Sequence, residues 1–179
     1  MALLVTVKAS QGGDANYLAA SAVTNGFTVA SAIGVVGVTA QQASGAYRSG
    51  DTLVIQVSFS GAVSVTGVPQ LVLNTTPARS AVYDSGSGSD TLSFRYVVQA
   101  GDTAAVLDSA GVNALTITGA AIRNGAGTVP AALSLPSPGG AGSLAQARQL
   151  AVDTTGPTLV RLGSPTPDGS YKAGAQIVL

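Results

Sequence analysis

Aspartate is the only acid in this chain. The 179 residues hold eight acids, and Glu, His and Cys do not occur. That removes most of the side-chain chemistry that proteins use. Without His or Cys there is no Ser-His-Asp triad, no thiolate nucleophile and no zinc site of the usual nitrogen or sulfur type. Two arrangements remain open to these residue types: a pair of Asp carboxylates acting on a glycosidic bond, and a Ser-Lys pair built on Lys8 or Lys172. Neither has a motif around it, so the chain reads as a non-enzyme. Eight Lys and Arg balance the eight acids, which leaves no basic excess for nucleic acid and no polybasic patch for an anionic membrane.

The elements that would position such residues are strands. Hydrophobic residues make up 46% of the chain and charged ones 9%, enough apolar material for a core. In TLVIQVSFS, Leu53, Ile55, Val57 and Phe59 fall on one face while Thr52, Gln56 and Ser58 fall on the other, the period of two that a half-buried strand requires. DTLSFRYVV repeats this, with Leu92, Phe94, Tyr96 and Val98 inward and Ser93 and Arg95 outward. Weaker strand text starts at Gly34, Ala62, Pro69, Ser80, Ala114, Ala132 and Gln149, separated by turns such as SGD, DSGSGSD, AGD and PSPGGAG. DANYLAASA and SLAQARQ can each cap a turn or two of helix, no more. No stretch approaches the ~20 apolar residues that cross a bilayer. The apolar run at the start precedes its Lys8, which is not the order of a signal peptide.

The chain also repeats itself. Gly45, Tyr47, Gly50 and Ile55 match Gly169, Tyr171, Gly174 and Leu179 at a constant separation of 124 positions, and VVGV from Val35 matches LVRL from Leu159 at the same separation. A fainter echo links VTVKASQGG from Val5 to LSLPSPGG from Leu133. These matches divide the chain into a tail-like segment at 1–32, a complete module at 33–154 and the start of a following module at 155–179. Bare strand edges should leave the part from Pro157 onward poorly ordered without a partner edge.

The text GDTLVIQVSFSGAVSVTGVPQLVLN, AVYDSGSGSDTLSFRYVVQAGDTAAVLD, AIRNGAG and AVDTTGPTLV resembles the Ig-like tandem repeats of very long bacterial surface and secreted proteins, over roughly residues 33–179. The resemblance implies an all-β, Ig-like β-sandwich of two antiparallel sheets, used as a structural or adhesive spacer in an exported bacterial repeat protein and often rigidified by calcium. With GVVGVTA as strand A, TLVIQVSFS as B, DTLSFRYVV as E and QLAVD as G, such a sandwich places Asp51 on the A–B loop, Asp102 and Asp108 on the E–F loop and Asp153 at the exit. Four carboxylates then meet at the junction with the next module, where calcium relieves their repulsion and stiffens the hinge. The competing reading makes all four simple turn residues that bond their own backbone.

Other features have plainer readings. Tyr47 and Tyr171 share a repeat position that suits ring packing at a sheet edge. Arg95 reads as a solvated residue that discourages edge pairing. The SGSGSD loop, with no helix after it, is a flexible turn rather than a phosphate cradle. Partners are expected to be neighbouring modules, and a surface receptor or glycan; with no Trp and three Phe, sugar stacking is poorly supplied. The alternative to the spacer is an assembly subunit of a virion or filament in which ALLVTVK adds a strand to a neighbour's sheet.

Overall fold

The computed structural model describes residues 3–29, 32–156 and 160–178. Pro157, Leu159 and Leu179, on which parts of the repeat reading rest, lie outside them. The fold is an all-β sandwich. Its larger layer is a six-stranded antiparallel sheet made from β3 (Val35–Ala40), β5 (Thr52–Phe59), β7 (Gln70–Leu73), β8 (Arg79–Ser85), β9 (Thr91–Val97) and β11 (Leu115–Thr116), in the order β11-β7-β8-β9-β5-β3. The two strands with the clearest alternation, β5 and β9, pair at its centre, with Leu53 opposite Tyr96, Ile55 opposite Phe94 and Val57 opposite Leu92. Leu53, Ile55, Val57, Leu92 and Phe94 are wholly buried, whereas Arg95 is exposed on the other face.

The second layer consists of two small sheets. In one, β6 (Val63–Thr66) pairs with β12 (Ala121–Asn124); in the other, β13 (Leu150–Asp153) lies between β10 (Thr103–Ala104) and β4 (Gly45–Tyr47). Val63, Ile122, Ala104, Leu150 and Val152 from these strands join the inward residues of the large sheet in one core cluster. The β4–β13 pair is parallel, with Leu150 opposite Gly45 and Val152 opposite Tyr47, a departure from the expectation of purely antiparallel sheets. It arises because the first strand of the sandwich is split. Residues 35–40 pair with β5 in the large sheet, and the chain then changes layer to set 45–47 against β13. The single helical turn α1 (Leu144–Ala147) is capped by Ser143, whose hydroxyl accepts the Gln146 N–H, and it buries Leu144.

Two stretches differ from expectation. Residues 3–29 form an antiparallel hairpin of two strands, β1 (Leu3–Gln11) and β2 (Ala20–Val29), where one closing strand was expected. Asp14 organises its loop, its Oδ1 accepting the N–H groups of Asn16 and Tyr17. LSLPSPGG, the counterpart of VTVKASQGG in the fainter echo, contains no strand, since Pro136 and Pro138 have no N–H to give to a ladder. ALSL from Ala132 makes one isolated bridge, with Gly34. Residues 160–178 contain no strand either, and their apolar side chains are open: Val160 and Leu162 are 92% and 66% exposed.

Candidate functional site: the exit junction

Asp153 ends β13 and is paired with Thr103, directly after Asp102, so the end of β13 lies beside the turn that follows β9. Asp51 is close as well, because its carbonyl accepts the Val98 N–H (2.9 Å) and the Gly50 N–H donates to the Val98 carbonyl (2.9 Å). Asp108 is elsewhere. Its neighbour Leu107 donates to the carbonyl of Leu150, at the far end of β13 from Asp153. Three of the four expected residues thus share one end of the sandwich, and the fourth does not.

Each carboxylate has its own local partners. Asp51 closes a turn, its Oδ2 accepting the Arg48 N–H (2.9 Å). Asp153 Oδ1 accepts both the hydroxyl and the N–H of Thr155, and these bonds hold its exposed carboxyl below the usual range. Asp108 is buried and joins loops: Oδ1 accepts the Ser109 N–H (2.8 Å), Oδ2 accepts the Gly139 N–H (2.8 Å), and its own N–H donates to Asn74 Oδ1 (2.8 Å). Among the described residues no three acids come together in a group fit to hold a metal ion.

Asp102 is the hub of the junction. Its side chain is turned inward and wholly buried. Oδ1 accepts Arg79 Nε (2.7 Å), while Oδ2 accepts the Tyr96 hydroxyl (2.6 Å) and the Gln99 N–H (2.9 Å). Burial pushes the carboxyl's pKa up, but the bonds from Tyr96, Gln99 and Arg79 outweigh it and hold the group below its ordinary value. The Tyr96 phenol moves the other way, raised by burial first and then by its bond to the carboxylate. On the backbone side the Asp102 carbonyl accepts the Thr154 hydroxyl (3.0 Å), which in turn accepts the Gly101 N–H (3.0 Å). The exit strand is therefore tied to the post-β9 turn through Thr154, and that turn is tied to the core through Asp102. Sequence reading singled out Asp102 but missed Arg79, Tyr96 and Thr154. Tyr96 had been placed inward by its alternation, which signals that its hydroxyl needs a buried acceptor.

The corner around β4 has a counterpart among residues 166–178. Around β4 the Tyr47 hydroxyl donates to the Ala43 carbonyl (2.7 Å), the Asp51 N–H donates to the Arg48 carbonyl (3.1 Å), Gly50 has φ +92°, and the Val54 N–H donates to Gln42 Oε1 (2.9 Å). At positions 124 further on, Tyr171 donates to the Pro167 carbonyl, Ala175 N–H to the Lys172 carbonyl (3.1 Å), Gly174 has φ +90°, and Val178 N–H donates to Thr166 Oγ1 (3.1 Å). The positive φ explains the glycine at both places. Compared with protein-family models, curated proteins and solved structures, the chain matches none.

Proposed function

We propose that the chain contains one complete bead of a tandem-repeat rod, at 33–154, followed from 155 by the opening of the next bead, and that its work is reach and stiffness rather than catalysis. The observation that carries this reading is the recurrence of the same four local features at a spacing of 124 residues. A corner of that detail has no reason to recur unless the same element is being started again. The resemblance to Ig-like repeats of bacterial surface and secreted proteins fits an extracellular or cell-surface setting, with neighbouring modules as the principal partners.

In this reading the junction is held by Asp102 and Thr154, which anchor the exit strand without an ion. Calcium, if it adds to the stiffness, has to be held by Asp51 and Asp153 with backbone carbonyls, since the oxygens of Asp102 are engaged indoors. Weak extracellular sites bind in the range of about 10⁻⁴ to 10⁻³ M. A melting temperature that stays flat to several times that concentration removes the metal from the junction.

The test of the rod is a chain in which a second copy of residues 33–156 is fused directly after Gly156. Two beads should unfold with about twice the calorimetric enthalpy of one. An added copy that contributes no enthalpy would show that 124 residues is not the structural period.

A second reading, assembly by strand addition, is favoured by one observation. The hairpin β1–β2 leaves Val7, Val23 and Phe27 at 55%, 61% and 53% exposure on the face that Val5 shares. Sedimentation of the full chain separates the two: a monomer at micromolar concentration supports the bead, and a stable oligomer supports assembly.

A further inference from the structure

Among the described residues β2 pairs with β1 alone, so its other edge is open. In the sandwich the corresponding edge of β3 is used, the Val35 N–H donating to the Ala132 carbonyl (3.3 Å) and the Val38 N–H to the Gly142 carbonyl (2.8 Å). A lone two-stranded hairpin is marginal in water, whereas three or more strands with an apolar face hold together. The hairpin has such a face. Val5, Val7 and Ala9 of β1 stand opposite Phe27, Asn25 and Val23 of β2, and directly opposed residues share one side of a sheet. Val7, Val23 and Phe27 on that side are open to water.

The two edges of the hairpin differ. β1 carries Lys8, and a lysine guards an edge because pairing would strip water from its ammonium. β2, ASAVTNGFTV, carries no charge and no proline. Its pattern is also self-complementary, since Val23 and Phe27 each stand two residues from Asn25. A second copy turned by half a revolution about Asn25 runs antiparallel to the first, with Asn25 against its own counterpart and Val23 against Phe27 on both sides of the axis. Aromatic and β-branched residues are favoured as such cross-strand pairs. Centring the axis on Thr24 would set Val23 against Asn25, and centring it on Gly26 would set Phe27 against Asn25. A slip that puts the axis between two residues turns the apolar faces to opposite sides. The formal net charge of the chain is zero, so copies meet without long-range repulsion.

We propose that two copies of the chain pair through β2, antiparallel and with their two-fold axis at Asn25, to make a four-stranded sheet with one continuous apolar face. The edge is 10 residues long, which spans about 30 Å. A contact of that length buries less than the ~1,200 Å² of stable complexes, so the dimer is weak, with a dissociation constant on the order of 100 µM. It therefore leaves the chain monomeric at micromolar concentration and gains weight where many hairpins are held side by side. It differs from strand addition by ALLVTVK, which uses β1 and calls for a stable oligomer. It is also independent of the repeat reading, since it concerns residues outside the bead.

The experiment is sedimentation equilibrium of the full chain from about 10 µM to about 1 mM, a range that brackets the expected constant. A monomer at the low end and a monomer–dimer equilibrium at the high end are expected. Asn25→Asp and Asn25→Lys each set like charges face to face at the axis and should weaken pairing by on the order of tenfold or more. An equimolar mixture of the two should associate again, because opposite charges then meet. Asn25→Thr keeps the edge uncharged and should pair as the wild type does. The idea is overturned if the wild type stays monomeric to about 1 mM, well above that constant, if the mixture associates no better than its components, or if Asn25→Thr is as weak as the charged variants. A dimer indifferent to both charges also overturns it, and assigns the contact to β1 and strand addition.

Discussion

Asp102 shows how much one residue's surroundings decide. From the sequence it is a turn aspartate after Gly101; in the fold its carboxylate receives three donors and its carbonyl a fourth. Asp102→Ala leaves the Tyr96 hydroxyl and the Gln99 N–H without their acceptor and frees Arg79, and should cost roughly 3 kcal/mol, read by urea unfolding. Because its folded pKa is depressed, the carboxylate contributes stability above its unfolded value near 4, and that contribution is lost as pH falls through the lower folded value. Melting temperature should therefore drop below about pH 4, and less steeply in Asp102→Asn. Tyr96 has the opposite sign. Its raised pKa means that its contribution is complete below about pH 10 and fades as pH climbs beyond, a loss that Tyr96→Phe should not show.

At the scale of elements, β5 and β9 could be read directly. Alternation along a strand is a local property, so TLVIQVSFS and DTLSFRYVV announce which side chains face inward before any partner is known. Phe94→Ala, at the centre of that pair and in edge-to-face contact with Tyr83, should cost about 3–5 kcal/mol in chemical unfolding. The turn between β8 and β9 depends on Gly86 for two reasons: its φ is +109°, and a Cβ there would lie 2.2 Å from the Thr91 carbonyl oxygen. Gly86→Ala should lower the melting temperature, whereas Gly88→Ala, where no atom stands within 4 Å of the added carbon, faces only the φ cost. The short strands β4, β10 and β12 were not foreseen. Two to four residues carry too little periodicity to register, and such strands exist because a neighbour supplies the ladder.

One packed body lies between the two-stranded hairpin of residues 3–29 and the strandless residues 160–178. The core cluster draws its members from Val38 to Val152, and residues 160–178 contribute none. A chain of residues 32–156 should consequently fold alone and melt within about 2 °C of the full chain, a comparison that circular dichroism makes directly.

What the amino-acid order determined by itself was the class of fold, the inward faces of the long strands, the turn residues and the repeated corner. All of these follow from interactions within a dozen residues. The tertiary structure alone decided which carboxylates meet. It carried Asp108 to the far end of β13 and sent Asp102 indoors to Arg79, 23 positions earlier. It also split the first strand between two layers. Those outcomes depend on which strands lie next to one another, and pairing between distant strands leaves no periodic trace in either of them.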